Sequence, residues 1–210
     1  TIKGFAPTDY DFFAHQRKAI GITLKRGRGV IGLDTGLGKS AVAIGIALTW
    51  INDGTLSENG KNGKALFVVP KSLKANIPEE IYKFCGDPQY VLDRIHTVSY
   101  NDFLRNHDKY KDYGAVFFDE AQALRGDAKV AEAARAFDND HKVLMTASIL
   151  EKSPMDLYNL VSCAEGSKLT PQEASRQNQR VINTYCLKVG GKVMGLKSDP
   201  VIRRKFHQYV

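Results

Sequence analysis

Three cysteines in 210 residues, Cys85, Cys163 and Cys186, are too few and too far apart for a disulfide framework. None of them stands in a CxxC pair, which argues against a zinc site, and they read as buried or idle thiols in a reducing compartment. The histidines (His15, His96, His107, His141 and His207) lack metal-ligand spacing, which argues against a zinc or iron centre. No apolar run approaches the ~18 residues needed to cross a bilayer, and the start shows no leader-like pattern. The expectation is a soluble intracellular protein, cytoplasmic or nuclear, with no membrane partner. Thr1 stands where a Met would, as in a processed or excised chain. Internal repeats and long low-complexity segments are also missing.

What remains has the composition of an ordinary globular protein, 43% hydrophobic, 25% charged and 10% aromatic, long enough for one well-buried core. The net charge of +7 suits a polyanionic partner. It is spread along the chain and not gathered in a tail, so it supports nucleic-acid binding only beside motifs.

The polar, Gly-rich stretch at residues 53–63 reads as a surface loop. Around it, short apolar runs alternate with amphipathic ones. Strands are predicted at 30–33, 65–69, 95–98, 115–118 and 143–146, and helices at 12–24, 39–52, 73–84, 129–137 and 154–163. Runs such as Ala65-Leu-Phe-Val-Val69 and Ala115-Val-Phe-Phe118 are apolar at every position. Strands covered on both faces read this way, so the expected fold is α/β, a parallel sheet with helices on both sides. Open sheets of this kind bind ligands at the carboxyl ends of their strands. Each motif described below follows a predicted strand.

The first is Gly32-Leu-Asp-Thr-Gly-Leu-Gly-Lys-Ser40, between a strand and a helix. Glycines let the backbone curl until several N–H groups face one anion, and the helix N-terminus adds its dipole. In this P-loop, or Walker A element, Thr35, Gly36, Leu37, Gly38, Lys39 and Ser40 are the candidate phosphate contacts. Lys39 is expected to reach the β- and γ-phosphates of ATP and Ser40 to hold Mg²⁺. Leu33 occupies the place of the first glycine in GxxxxGK[ST], so the match runs from Thr35 to Ser40. The second motif, Asp119-Glu-Ala-Gln122, sets two carboxylates after an apolar strand, as a Walker B element does. Asp119 would anchor Mg²⁺, and Glu120 would orient and deprotonate the water attacking the γ-phosphate.

With these motifs the chain resembles superfamily 2 helicases, and more narrowly the first RecA-like lobe of the Swi/Snf-type ATPases. Gly36-Leu-Gly-Lys-Ser40 carries the family's loop wording, and Asp119-Glu-Ala-Gln122 is a DEAQ form of its DEAH-like box. Phe13-Ala-His-Gln16 is similar to the adenine-reading segment. The resemblance implies a base contact from the Gln16 amide, with Phe12, Phe13 or Tyr10 packing on the ring. Pro70-Lys-Ser-Leu-Lys-Ala-Asn76 and Thr97-Val-Ser-Tyr100 resemble segments that lie along the nucleic-acid backbone, which implies contacts from Lys71, Ser72, Lys74, Ser99 and Tyr100. Ile77 stands where the family has Trp. Leu144-Met-Thr-Ala-Ser148, with Asp156-Leu-Tyr-Asn-Leu160, resembles the segment coupling ATP state to nucleic-acid grip. That role falls to Gln122, Thr146 and Ser148.

The resemblance implies a three-layer RecA-like lobe over residues 1–165 and a helical extension over 166–210, leading towards a second lobe absent from this chain. Tyr185-Cys186, Gly195 and Arg203-Arg204 resemble the stretch that follows this lobe in annealing helicases. The expected function is ATP binding and, with that second lobe and its arginine fingers, ATP hydrolysis coupled to movement along duplex DNA. This fragment alone would be a poor ATPase. Two other readings stay open, a superfamily 2 helicase that unwinds RNA or DNA and a catalytically idle nucleotide-binding module.

Overall fold

Strands that are apolar at every position are stable only between two covering layers, and that requirement organises the chain. In the computed structural model, β1 (Gly29–Gly32), β2 (Ala65–Val69), β3 (Ile95–Ser99), β4 (Ala115–Phe118) and β5 (His141–Thr146) form one sheet ordered β1-β5-β4-β2-β3. Every neighbouring pair is parallel. The structure describes residues 11–124, 129–137, 139–147 and 154–166, with short pieces at 176, 179–180, 186–189, 192–196 and 200–201. The fold is the expected α/β, RecA-like arrangement.

Side chains that alternate along each strand feed two separate cores. Phe67, Phe117 and Met145 pack with α1 (Ala14–Arg26), α2 (Lys39–Asn52), α3 (Asn76–Phe84) and α4 (Pro88–Leu92) on one face. Leu66, Val68, Phe118 and Leu144 pack with α5 (Tyr100–Asn106), α6 (Lys129–Ala136) and α7 (Pro154–Glu165) on the other. Phe67 stacks on Phe117 at 4.6 Å, and Phe103 meets Phe118 edge-on at 5.2 Å. Trp50 is buried against Phe117 and His141. Burial pushes the Cys85 and Cys163 thiols up to about 11, leaving both unreactive.

The predicted elements hold with shifted ends. α1 runs on to Arg26 and stops at Gly27, whose left-handed backbone (φ 73°) donates its N–H to Thr23. The helix expected over 73–84 begins only at Asn76, after a 3₁₀ turn at Lys71–Leu73, with Pro78 in its first turn, where a missing N–H does no harm. The short α4 was not anticipated; its Asp87 cap accepts from the Tyr90 N–H. Within the region expected to extend as helix, β6 (Cys186–Val189) and β7 (Lys192–Leu196) pair as an antiparallel hairpin. No helix among the described residues is long and apolar enough to cross a membrane.

The segment at 53–63 is more than a solvated loop. It contains a helical turn, Thr55–Gly60, and Leu56 is completely buried in the first core. Gly114 makes room for it: a Cβ there would fall 2.3–2.6 Å from Leu56 backbone and side-chain atoms. Gly114→Ala is therefore expected to destabilise the fold by about 1–3 kcal/mol through overpacking, measured by urea denaturation. An unchanged midpoint would show that this contact does not constrain the fold.

Candidate nucleotide site at the carboxyl edge of the sheet

Because all five strands run the same way, their carboxyl ends share one edge. Across that edge in spatial order come the Gly-rich loop after β1, Thr146 ending β5, Asp119 and Glu120 after β4, Lys71 and Ser72 after β2, and Ser99-Tyr100 after β3. Motifs far apart in the sequence thus become neighbours.

Gly36 (φ 85°) and Gly38 (φ 78°) both adopt left-handed backbone that other residues enter at a cost, which is why the loop needs them. Leu37 N–H bonds to Asp34 at 3.2 Å, closing the turn, and Leu33 N–H bonds to the Thr146 carbonyl at 3.2 Å, seating it on β5. No side chain caps α2, so the first-turn N–H groups that any helix leaves unpaired are open to an anion. Thr35, Gly36 and Leu37 are exposed and Gly38, Lys39 and Ser40 half-buried. Lys39 folds back, its Nζ donating to the Leu33 carbonyl at 3.2 Å.

Gln16, only 2% exposed, clamps this loop from α1: its Nε2 donates to the Leu37 carbonyl at 3.0 Å and its Oε1 accepts from the Phe13 N–H at 3.0 Å. Its amide therefore works first within the fold. Of the aromatic candidates, Phe12 packs on the core and Tyr10 lies outside the described residues. Phe13 is 66% exposed, with its ring parallel to His15 at 5.8 Å. His15 Nε2 lies 3.4 Å from the Leu37 carbonyl.

Asp119 is buried, and that burial raises its carboxyl above the ordinary range; the neighbouring Glu120 charge adds to this, while the Glu120 N–H and Lys39 oppose it. Glu120 has φ 49°, an unusual left-handed backbone for a residue with a side chain. Its N–H donates to Asp119 Oδ1 at 3.0 Å. Gln122 Nε2 donates to Glu120 Oε2 at 2.7 Å, and Thr146 Oγ1 donates to Gln122 Oε1 at 2.8 Å. A continuous hydrogen-bonded path therefore joins Glu120, Gln122, Thr146 and, through the Thr146 carbonyl, the Gly-rich loop. Ser148 lies outside the described residues.

The residues expected to line a nucleic-acid track divide into two groups. Lys71, Ser72 and Lys74 are exposed. Lys74 pairs with Asp102 at 3.7 Å, both ends solvated, so the pair is weak and exchangeable. Ser99 and Tyr100 are not laid out for a phosphate. Ser99 is buried and its hydroxyl accepts the Asp102 N–H at 3.1 Å, capping α5. The Tyr100 hydroxyl points inward and donates to the Asp119 carbonyl at 2.7 Å. The Ser-x-x-Asp spacing at 99–102 is a readable capping signal. Nothing in the sequence announces the Tyr100 bond.

Ser40 and Asp119 would supply hard oxygen ligands of the sort Mg²⁺ takes, and the ion usually needs only one or two from protein when phosphates supply others. A buried carboxylate disfavoured by desolvation fits such an ion. Among the described residues no group of three or more His, Cys, Asp or Glu side chains gathers to hold a metal by itself. A cavity of about 380 Å³ opens at the opposite, amino edge of the sheet, lined by Trp50, Asp53, Thr55, Asp140 and His141 among others.

No protein-family model matches the chain, and no curated protein matches its sequence. Solved structures do match its shape. The SWI2/SNF2 ATPase core of Sulfolobus solfataricus, solved in complex with dsDNA, aligns with 88% of this chain at a TM-score of 0.67 and 19% identity. At that identity the likeness is one of fold, the RecA-like parallel-sheet α/β arrangement. The UvsW helicase of bacteriophage T4 aligns with 77% of the chain at a TM-score of 0.57 and 13% identity, over 62% of its own length. A second T4 UvsW structure aligns with 77% at 0.56 and 15% identity, over 35% of its length. The chain spans 40% of the SWI2/SNF2 core.

The raised Asp119 carboxyl has a consequence for stability. A carboxyl whose folded pKa lies above its unfolded value favours the native state in its protonated form, so native stability declines as pH rises from the unfolded towards the folded pKa. Asp119→Asn is expected to raise the melting temperature of the ligand-free chain at neutral pH, by about 2–4 °C per kcal/mol relieved. The gain should close at acid pH, where the wild-type carboxyl is also neutral. A lower melting temperature for the variant at neutral pH would contradict the reading of Asp119 as a carboxylate whose burial disfavours its charge.

Proposed function

We propose that this chain is the ATP-binding lobe of a Swi/Snf-type DNA translocase, binding Mg-ATP on its own and hydrolysing it only with a second lobe. The observation that carries the reading is Thr146, which touches the phosphate loop through its carbonyl and the Glu120 carboxylate through Gln122. A residue with that pair of contacts registers both ends of a bound triphosphate.

The chemistry asked of the chain is positioning and neutralisation. Amides of residues 36–40 cradle the phosphates, and Lys39 leaves the Leu33 carbonyl to meet them. Ser40 and Asp119 would hold a magnesium ion, which would supply charge neutralisation at the phosphates. Glu120, aimed by Gln122, orients the attacking water and accepts its proton. An arginine from the second lobe completes the charge balance; fingers of that kind are worth roughly 10³–10⁵ in rate. Phe13, the exposed aromatic beside the loop, is the candidate to pack on the base, with Gln16 fixing the segment that presents it.

Duplex DNA is the proposed track. The net charge of +7, the exposed Lys71, Ser72 and Lys74 beside the carboxylates, and the dsDNA held by the Sulfolobus core support it. Contacts to phosphates release counterions without reading bases, so binding should weaken steeply with salt and ignore sequence.

The test is calorimetry with Mg-ATP. Lys39→Ala should lower affinity by about 10- to 100-fold, the loss expected when a charge-assisted contact worth about 1.5–3 kcal/mol disappears. Unchanged affinity would overturn the assignment of the loop.

A further inference from the structure

We propose that Tyr100 is a positioning residue that transmits the state of the nucleic-acid face to the Asp119-Glu120 pair. This rests on the functional reading above and deepens it. The sequence resemblance points Tyr100 outward, at a polyanion; the structure turns it inward.

β3 and β4 are not neighbours, because β2 lies between them. With strands about 4.8 Å apart, a side chain from the end of β3 must span roughly two strand spacings to reach β4. Tyr100 does so: its ring stacks on Phe118 at 6.2 Å and its hydroxyl meets the Asp119 carbonyl at 2.7 Å. That carbonyl belongs to the peptide unit joining Asp119 to Glu120. The N–H of the same unit is held by Asp119 Oδ1 at 3.0 Å. Both polar ends of one peptide plane are therefore fixed, immediately before the left-handed Glu120 (φ 49°). Such backbone is unfavourable in a residue with a Cβ and persists where its surroundings hold it. The Tyr100 bond is one of the two that set where the Glu120 carboxylate points.

The other end of the path lies in the first turn of α5. Ser99 Oγ accepts from the Asp102 N–H, and Asp102 Oδ2 accepts from the Ser99 N–H at 3.4 Å. The same Asp102 carboxylate pairs with Lys74. A phosphate that draws Lys74 away removes a partner from the box that begins α5, and Tyr100 is the first residue of that helix. Burial and the nearby Asp119 charge hold the Tyr100 phenol well above its ordinary range, so it remains a hydrogen-bond donor at any working pH.

Coupling between two ligands is read as the ratio of one ligand's dissociation constants without and with the other, and is commonly about 5- to 150-fold. Mg-ADP affinity is measured for the full-length protein, with and without a saturating duplex oligonucleotide, in wild type, Tyr100→Phe and Asp102→Asn. Wild type should show a ratio of at least several-fold. Tyr100→Phe keeps the ring and its stacking and should bring the ratio close to one while both ligands still bind. Asp102→Asn keeps an oxygen that can cap α5, loses the ion pair and should also lower the ratio; it decides the matter if Tyr100→Phe does not fold. A variant ratio equal to wild type, including one reached with uniformly weaker binding, overturns the proposal, as does a wild-type ratio of one. A wild type that fails to bind Mg-ADP or duplex overturns the functional reading instead.

Discussion

Parallel alignment of the strands is the constraint on which the rest of the molecule depends. It sends every connection back across a face of the sheet, which is why the strands are apolar on both sides and why two cores are needed. It also brings every strand's carboxyl end to one edge, so a loop near residue 36, a carboxylate pair near 119 and a threonine at 146 share one line. The order β1-β5-β4-β2-β3 places β5 between the Gly-rich loop and the carboxylates, making Thr146 the natural bridge. It places β2 and β3 beyond the carboxylates, so the exposed Lys71 and Lys74 flank that pair on the far side from the Gly-rich loop.

The edge is held under tension of two kinds. Asp119 is a carboxylate in surroundings that disfavour its charge, and Glu120 carries a backbone angle that residues with side chains seldom adopt. Both are tolerated because the neighbourhood pins them: Asp119 N–H to Val68 at 2.9 Å, Glu120 N–H to Asp119, Gln122 to Glu120. Sites that must receive a cation and aim a water are places where such strain is useful. The amino edge shows the opposite economy. There Arg28 donates to the Asp140 carbonyl just before β5 and to the Glu165 carbonyl ending α7, and the buried Lys142 donates to Ala134 in the last turn of α6, the last two at helix C-termini. That is a stabilising use of cations at helix C-termini.

Much of this was legible in the sequence because it is local. Short apolar runs marked five strands, two of them, 65–69 and 115–118, apolar at every position, and the Gly-Leu-Gly-Lys-Ser wording marked the loop before any geometry was known. What escaped was long-range or compensated. Lys142 sits at full burial beside the apolar Val143-Leu-Met145 run, its charge met by the Ala134 carbonyl near the end of the preceding helix. Leu56 looked like part of a solvated loop because its partner, the bare Gly114, is fifty-eight positions away. Tyr100 and Ser99 carried the right residue types for a phosphate contact, yet the fold uses both hydroxyls internally. The hairpin β6–β7 lies in a region that reads from the sequence as polar and helical.

The most direct test of the account is a crystal structure of this chain grown with Mg-ADP. The β-phosphate should rest on the amides of residues 36–40, with Lys39 drawn off the Leu33 carbonyl and the metal between Ser40 and Asp119. Nucleotide bound elsewhere, such as in the cavity beside Trp50 at the amino edge, with the Gly-rich loop empty, would contradict it.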